Sequence, residues 1–346
     1  MRNLLITGGC GFIGSHFVRL VLHQRPHYRV VNLDLLTYAG NLGNLATEER
    51  TREHLAYRFV LGDVADANLV NELIEQENID AIVNFAAETH VDRSLLDSAP
   101  FLRTNVEGTR VLLEAASHRL VERFLQVSTD EVYGSLTLSE PSFTEESPLK
   151  PNSPYAASKG AADLLVRAYH HSYGVQALVT RCSNNYGPYQ FPEKFLPLFI
   201  TNALEDRPLP LYGDGQQIRD WIHVEDHTRA LLDVLEQGRP GEIYNISAGG
   251  EKTNQQMAEW VLQLLGKPHE LIRHVKDRPG HDRRYAVNAS KLRDELGWRP
   301  MIDLESGLRG TIDWYRRERG WWERIKSGEY RNYYTQLYGE RLVSSE

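Results

Sequence analysis

The sequence predicts an α/β protein with a doubly wound parallel sheet and a smaller second domain. Short apolar runs alternate with amphipathic stretches of helix length through the first half of the chain. A glycine-rich turn from Gly8 to Gly14 follows the first apolar run and leads into the first amphipathic stretch. After about residue 185 the alternation becomes irregular, which indicates a second structural unit.

The pattern predicts each element in turn. The strands are expected at residues 4–7, 29–33, 57–61, 81–85, 123–127 and 175–180, and the helices between them at 13–23, 67–75, 104–118 and 154–173. Residues 135–152 are rich in Pro, Ser and Glu and are predicted to form a loop, after which Ser153 can cap a helix whose first residue is Pro154.

The second half is predicted to contain helices at 195–204, 253–265 and 304–317, while residues 218–233 and 243–246 are candidates to return to the first sheet. We therefore assign residues 1–185, with returning segments near 218–247, to a dinucleotide-binding domain. Residues 186–217 and 248–346 are assigned to a second, ligand-binding domain. The cleft between the two is the expected site.

Composition excludes several classes of function. A net charge of −8 gives no support for binding nucleic acid or an anionic membrane. No apolar stretch approaches the roughly 20 residues that span a bilayer, and the apolar N-terminal run is too short for a signal peptide. Cys10 and Cys182 offer neither a disulfide framework nor a metal site, so we expect a cytoplasmic protein without a metal.

The turn after the first strand predicts a dinucleotide site. Its glycines let the backbone approach a pyrophosphate, and the following helix offers free N–H groups. Asp34 ends the second strand 20 residues after Gly14, where a carboxylate can bind the adenosine ribose. This carboxylate would repel a 2′-phosphate and Leu35 offers no cation, so NAD is favoured over NADP. Asp63, after the third strand, is a candidate for the adenine amino group, and a simple turn aspartate is the alternative.

Five residues predict a proton-transfer site. Tyr155 and Lys159 share one helix face at positions i and i+4. The ammonium group and a positive nicotinamide ring would together lower the pKa of the phenol from its usual value near 10. Thr129 follows a strand at the carboxyl edge of the sheet and can hydrogen-bond Tyr155 and the substrate. Asp130 and Glu131 can serve as an acid and a base if their surroundings separate their protonation states, and a solvated turn is the alternative.

These motifs resemble the extended short-chain dehydrogenases/reductases and, within them, the dTDP-glucose 4,6-dehydratases. The resemblance covers nearly the whole chain and rests on segments 8–14, 37–41, 86–94, 129–131, 155–159, 184–188, 212–215, 219–221 and 278–282. Leu35 departs from the family pattern, which often has Lys there. The resemblance implies a Rossmann-type NAD-binding domain and a smaller, mostly C-terminal domain that binds the sugar nucleotide.

The motifs and the resemblance together define two sets of site residues besides the catalytic group. The NAD set is Gly8, Gly11, Phe12, Ile13, Gly14, Asp34, Leu35, Thr37, Asp63, Val64, Ala86, Ala87, Thr104, Tyr155, Lys159 and Asn185. The substrate set is His90, Thr129, Asn184, Lys194, Phe195, Pro210, Tyr212, Arg219, Asn254, Arg278 and His281. Arg219 and Arg278 are candidates for the diphosphate because a guanidinium matches phosphate oxygens, whereas His281 is as compatible with a structural role.

The resemblance also implies a reaction and an assembly. Tyr155 would take the proton of the glucose C4 hydroxyl as hydride passes to NAD. Glu131 would then remove the C5 proton, Asp130 would protonate the departing C6 hydroxyl, and hydride would return to C6. The enzyme would be a hydro-lyase acting on dTDP-glucose. Related enzymes form homodimers by pairing the helices near 104–118 and 154–173 into a four-helix bundle.

Other functions share part of this pattern. A sugar-nucleotide 4-epimerase and a UDP-glucuronate decarboxylase also need Tyr155 and Lys159. The epimerase has no use for the pair Asp130 and Glu131, and the decarboxylase needs a cation for the C6 carboxylate. A non-catalytic NAD sensor would not require the tyrosine–lysine spacing. The sequence does not distinguish between thymine and uracil as the base of the sugar-nucleotide substrate.

Overall fold

The computed structural model describes residues 2–46, 56–327 and 334. Its strands are β1 Asn3–Thr7, β2 Arg29–Asp34, β3 Tyr57–Leu61, β4 Ala81–Asn84, β5 Arg123–Thr129, β6 Ala177–Cys182, β7 Asn184–Tyr186, β8 Leu209–Tyr212, β9 Ile218–His223, β10 Ile243–Ile246, β11 Glu251–Thr253 and β12 Ile272–Val275. The helices of two turns or more, or nearly so, are α1 Phe12–Gln24, α2 Ala67–Gln76, α3 Val91–Leu96, α4 Thr109–His118, α5 Pro154–Tyr173, α6 Phe195–Leu204, α7 Val224–Gln237, α8 Asn254–Leu265, α9 Ser290–Leu296, α10 Leu304–Arg317 and α11 Arg319–Lys326.

A seven-stranded parallel sheet forms the larger part of the molecule. Its strand order is β10-β6-β5-β4-β1-β2-β3, and every neighbouring pair is parallel. The six predicted strands are confirmed with ends shifted by two residues at most, and residues 243–246 return to the sheet as expected. The strand order reverses between β1 and β4, and such a point opens a crevice at the carboxyl ends of the strands.

Segment 218–233 corrects one expectation. Its strand, β9, does not join the large sheet but pairs antiparallel with β11 and parallel with β7. Only the following helix, α7, packs on the large sheet, where Leu231 and Leu235 share a buried cluster with Phe17 of α1. The segment therefore crosses from the smaller sheet to the larger one within a few residues.

The predicted helix at 104–118 begins earlier and is not uniform. A helical turn at Ala99–Phe101 leads into a π-helix at Leu102–Gly108, and only then does α4 begin. The buried Asn105 explains the wide turn, because its Oδ1 accepts from the Glu88 N–H at 2.9 Å and its Nδ2 donates to Ser158 Oγ at 2.8 Å. The widened turn thus joins the loop after β4 to helix α5.

Separate apolar cores stabilise the two parts. Apolar side chains cover both faces of the large sheet, with Phe17 on one face and Phe124 on the other. A third core, formed mainly by α6, α8, α10 and α11, contains the buried rings of Phe199, Tyr315 and Trp322. In the described part of the chain, no helix has both the length and the hydropathy to cross a bilayer.

Candidate active site

The turn between β1 and α1 is packed too closely for side chains. Gly8 has φ +70°, and a Cβ there would lie 2.7 Å from the backbone N of Ala86. A Cβ on Gly14 would lie 2.3 Å from the Gly8 carbonyl oxygen. The backbone at the N-terminus of α1 is therefore bare beside the crevice, which suits an anionic group such as a pyrophosphate.

All sixteen residues predicted for the cofactor line one cavity at this edge of the sheet. Thr129, Asp130 and Glu131 line it as well. A second cavity adjoins the first and shares Glu131, Asn184 and Lys194 with it. The second cavity is lined by the remaining residues of the predicted substrate set, which are His90, Phe195, Pro210, Tyr212, Arg219, Asn254, Arg278 and His281. The fold thus brings the predicted residues together in one continuous cleft.

Asp34 is fixed in place at the end of β2. Its Oδ2 accepts from the Cys10 N–H at 2.8 Å and its Oδ1 accepts from the Leu36 N–H at 2.8 Å. Burial raises the pKa of this carboxyl, and the two hydrogen bonds oppose the rise. Asp63 has different partners: Oδ1 accepts from the Ala65 N–H at 2.8 Å, and Oδ2 forms an ion pair with Arg103 at 2.7 Å.

Helix α5 carries the tyrosine–lysine pair into the cavity. Ser153 caps this helix as predicted, since its Oγ accepts from the Ala156 N–H at 3.1 Å. Both Tyr155 and Lys159 are buried, and Lys159 Nζ donates to the Val127 carbonyl at 2.7 Å. The C-terminal end of strand β5 and the first turns of helix α5 are therefore held against each other.

The protein alone does not lower the pKa of Tyr155. Burial raises this pKa well above its ordinary value, and Glu131 and Cys182 raise it further, while a hydrogen bond with Thr129 lowers it. Burial also lowers the pKa of Lys159. The predicted lowering of the tyrosine pKa therefore depends on the second cation named for it, the nicotinamide ring.

Asp130 and Glu131 lie in different surroundings. Burial raises the pKa of Asp130 well above its usual value, and the charge of Glu131 raises it further. Burial raises the pKa of Glu131 too, but Arg278, Lys194 and Arg219 oppose the rise. Asp130 Oδ1 accepts from Thr129 Oγ1 at 3.2 Å, and its Oδ2 has no hydrogen-bond partner in the described residues. The pair can thus hold one protonated and one ionised carboxyl.

Three cations converge on the second cavity. Lys194 Nζ donates to the Thr89 carbonyl at 2.8 Å. The Arg219 guanidinium lies over the ring of Tyr285 at 4.3 Å, and Arg278 Nη1 lies 3.5 Å from Asp92 Oδ1. Because their common region is buried, an anionic ligand such as a diphosphate would be strongly attracted there. Across the described ranges, no three His, Cys, Asp or Glu side chains are grouped for a metal ion.

Sequence reasoning missed several cleft residues, among them Glu193 and Tyr285. Glu193 is buried and its Oε2 accepts from Arg93 Nη2 at 2.9 Å. Tyr285 lines the second cavity and its hydroxyl donates to Asp282 Oδ2 at 2.5 Å. Glu193 directly precedes Lys194, so an acid beside a predicted phosphate-binding lysine was an available signal. No local pattern marks Tyr285, which reaches the cavity from beyond segment 278–282.

Comparison with known proteins places the chain among sugar-nucleotide dehydratases. The family model described as GDP-mannose 4,6 dehydratase matches residues 5–311. The dTDP-glucose 4,6-dehydratase of Streptomyces niveus is 51% identical over 329 residues, covering 94% of this chain and 96% of that protein. The dTDP-glucose 4,6-dehydratase of Neisseria meningitidis serogroup B is 47% identical over 351 residues, covering 96% of this chain and 98% of that protein.

Solved structures give the same relationship. DesIV, a dTDP-glucose 4,6-dehydratase from Streptomyces venezuelae with NAD and TYD bound, has a TM-score of 0.90 and 51% identity, covering 94% of this chain and all of that one. The UDP-glucose 4-epimerase of Thermotoga maritima has a TM-score of 0.84 at 29% identity, covering 91% of this chain and 99% of that one. The fold is therefore shared more widely than the dehydratase sequence pattern.

Proposed function

The chain belongs to the family of dTDP-glucose 4,6-dehydratases, and we propose that it dehydrates dTDP-glucose to dTDP-4-keto-6-deoxyglucose with tightly bound NAD. The observation that carries this proposal is the presence of Asp130, Glu131 and Tyr155 in one cleft, with Asp130 and Tyr155 buried. Oxidation of an alcohol by NAD needs one proton acceptor, a role that Tyr155 can fill. Elimination of water from the oxidised sugar needs an additional acid and base, which the two carboxyls supply.

The glycine-rich turn fits NAD. Gly8 and Gly14 leave bare backbone for the pyrophosphate, and the fixed carboxylate of Asp34 suits the adenosine ribose. Bound NAD would accept a hydride from C4 of the sugar and return one to C6. Residues 1–185 with the returning segments near 218–247 are assigned to this cofactor. In that assignment β9 lies at the border, since it pairs within the smaller sheet.

Tyr155 acts in the first step. Its phenolate takes the proton of the C4 hydroxyl, and Thr129 shares a hydrogen bond with the tyrosine and orients the hydroxyl. Lys159, held by the Val127 carbonyl, supplies positive charge on the same helix face. Because the pKa of Tyr155 is raised in the protein alone, the charge of NAD has to contribute to forming the phenolate.

Glu131 and Asp130 act in the second step. Three cations oppose the rise in the pKa of Glu131, so Glu131 is the carboxylate that removes the acidic C5 proton. Asp130 has the more strongly raised pKa and remains protonated, so it gives its proton to the departing C6 hydroxyl. The loss of water leaves a C5–C6 double bond, and hydride return to C6 with protonation of C5 completes the product.

The second cavity receives the rest of the substrate. Arg219 and Arg278 are proposed to bind the diphosphate with Asn254, and Lys194 to bind the sugar or its phosphate. Pro210 and Tyr212 would contact the pyrimidine, while His90, Asn184, Phe195 and His281 complete the wall. Residues 186–217 and 248–346 are assigned to this role, and those from 328 onward, except Tyr334, lie outside the described residues.

Incubation of the purified protein with dTDP-glucose tests the proposal. We expect a product that has lost one water, with no net formation of NADH and no added reductant. The Tyr155→Phe variant should form no product. A 4-epimer of unchanged mass would instead establish the epimerase alternative. Parallel rates with UDP-glucose would decide between thymine and uracil.

We also propose a homodimer formed through the π-helix at Leu102–Gly108, α4 and α5. Leu102, Leu164 and Tyr173 are exposed on these helices, and a buried four-helix interface would cover such side chains. Sedimentation analysis should find a dimer that Leu164→Glu converts to monomer. The matched control is Leu138→Glu, on the exposed loop 135–152, which should stay dimeric. A wild-type monomer would contradict the proposal.

A cytoplasmic location completes the proposed assignment. Cys10 and Cys182 are both buried and unbridged, which suits a reducing compartment. Fractionation of the source cells should recover the protein with the cytoplasmic fraction, and recovery with an extracellular or membrane fraction would contradict this.

A further inference from the structure

Helix α11 is linked to the glycine-rich turn by a short series of buried hydrogen bonds. Trp321 Nε1 donates to Asn44 Oδ1 at 3.0 Å, and Asn44 Nδ2 donates to the Cys10 carbonyl at 2.9 Å. Trp321 is 7% exposed, Asn44 3% and Cys10 0%. The bonds are therefore shielded from water, and removal of the Trp321 indole N–H would take this donor away from the buried Asn44 Oδ1.

The Cys10 peptide group is held on both sides. Its carbonyl accepts from the Asn41 N–H at 3.0 Å in addition to Asn44 Nδ2. Its N–H donates to Asp34 Oδ2 at 2.8 Å, and this carboxylate is the one assigned to the adenosine ribose. The series that begins at Trp321 thus ends on a ribose-binding group.

An aromatic cluster supports the same contact. Arg19 of α1 donates to the Asn44 carbonyl, and its guanidinium lies 4.4 Å from the ring centre of Tyr189. That ring in turn contacts Trp314 at 4.6 Å and Trp321 at 5.8 Å between ring centres. Helices α10 and α11 are therefore packed against the helix that follows the glycine-rich turn.

We propose that Asn44 and Trp321 are positioning residues for the dinucleotide. Neither side chain lines the cleft, so they act by fixing the Cys10 peptide and, through it, the Asp34 carboxylate. The C-terminal helices thereby increase the affinity for NAD without touching it. This inference rests on the proposed function, since it deepens the assignment of NAD to this cavity.

Two tryptophans that are neighbours in α11 give a matched test. Trp321→Phe removes the indole N–H that reaches Asn44 and keeps an aromatic ring. Trp322→Phe removes an indole N–H that donates to the Tyr315 carbonyl at 2.8 Å, within the C-terminal core. Both variants lose one buried hydrogen bond from the same helix, but only the first loses the link to the glycine-rich turn.

The measurement is the rate at which bound NAD leaves each holoenzyme in the presence of excess labelled NAD. We expect release about fivefold faster for Trp321→Phe, the change that corresponds to one net hydrogen bond of about 1 kcal/mol. Trp322→Phe should release NAD at the wild-type rate. At saturating NAD and substrate, kcat should be nearly unchanged in both, with the KM for NAD raised only in Trp321→Phe.

A second variant separates the two halves of the link. Asn44→Asp keeps an acceptor for Trp321 but loses the donor to the Cys10 carbonyl, so it should also speed NAD release. The double variant of Trp321→Phe and Asn44→Asp tests whether the two bonds act together. Its increase in the NAD release rate should be smaller than the product of the two single-variant increases, because both changes break the same link. This variant also provides a test if Trp321→Phe fails to fold.

The outcomes distinguish this inference from the proposed function. Equal release rates for Trp321→Phe, Trp322→Phe and wild type would overturn the positioning role and leave the dehydratase assignment intact. Equal acceleration in both tryptophan variants would also overturn it, because the effect would then come from general loosening of the C-terminal core. A wild-type protein that binds no NAD would overturn the proposed function, and this inference with it.

Discussion

Replacement of Glu131 by Gln should separate oxidation from dehydration. The change keeps the shape of the side chain but removes the carboxylate that is proposed to take the C5 proton. A positioned general base contributes about 10²- to 10⁴-fold in rate, which corresponds to about 3–5 kcal/mol of barrier. Dehydration by Glu131→Gln should be slower by that factor.

Oxidation at C4 should be largely retained in the same variant. The charge of Glu131 is the second cause, after burial, of the raised pKa of Tyr155, so removing it favours the phenolate. Removing it also lowers the pKa of Asp130, because Glu131 is the largest cause of the rise in that pKa after burial. Oxidation at C4 is therefore retained. Dehydration is slowed because the base at residue 131 is lost and because Asp130, with a lower pKa, is less often protonated.

Stopped-flow absorbance of NADH after mixing with dTDP-glucose is the appropriate assay. Glu131→Gln should accumulate NADH that decays slowly, whereas the wild type should show at most a brief transient. Tyr155→Phe is the control and should form no NADH. If Glu131→Gln loses NADH formation together with the product, the division of roles between Tyr155 and Glu131 is refuted.

Three further expectations concern charge, capping and acid stability. Asp163 raises the pKa of Lys159, so Asp163→Asn should shift the alkaline limb of the kcat/KM profile to lower pH, and an unchanged limb would contradict that coupling. Ser153→Ala should cost about 1 kcal/mol in urea unfolding through loss of the α5 cap, while Ser172→Ala on the exposed end of α5 should cost almost nothing, and equal losses would refute the capping role. Burial lowers the pKa of His227 from 6.5 to about 3. Well above pH 6.5 the imidazole is neutral in both the folded and the unfolded state, so it does not change the free energy of unfolding. As the pH falls through 6.5, only the unfolded state gains a proton, and the fold is destabilised. His227→Gln should remove about 2 kcal/mol of the loss in unfolding free energy between pH 8 and pH 5, and an unchanged loss would contradict the lowered pKa.

Local patterns were sufficient to predict much of the fold and of the cleft. The alternation of strands and helices gave the six strands, because each pattern depends on neighbouring residues. Asp34 and the pair Tyr155 and Lys159 were found by spacing, since a strand end and a helix turn each fix where a side chain lies. Their predicted roles remain proposals, although the structure brings their side chains to one cleft.

Other features depend on contacts between distant parts of the chain and left no local signal. Strand β9 pairs with β7 and β11 in the smaller sheet, and the periodicity of its own residues does not indicate which strands it pairs with. The π-helix depends on the bonds that Asn105 makes to Glu88 and Ser158. Tyr285 reaches the second cavity from a segment that pairs through its backbone with Ile218 of β9, far away in sequence. The upward shift in the pKa of Tyr155 likewise could not be predicted, because it comes mainly from burial in the folded structure.

The path of one hydrogen atom tests the central proposal most directly. The substrate is dTDP-glucose carrying deuterium at C4, and the product is analysed by NMR and mass spectrometry. The proposed sequence of steps predicts deuterium at C6 of a 4-keto-6-deoxy sugar and a solvent-derived hydrogen at C5. Deuterium found at C4 of an epimerised hexose, or a product without label at C6, would contradict dehydration by hydride return in this cleft.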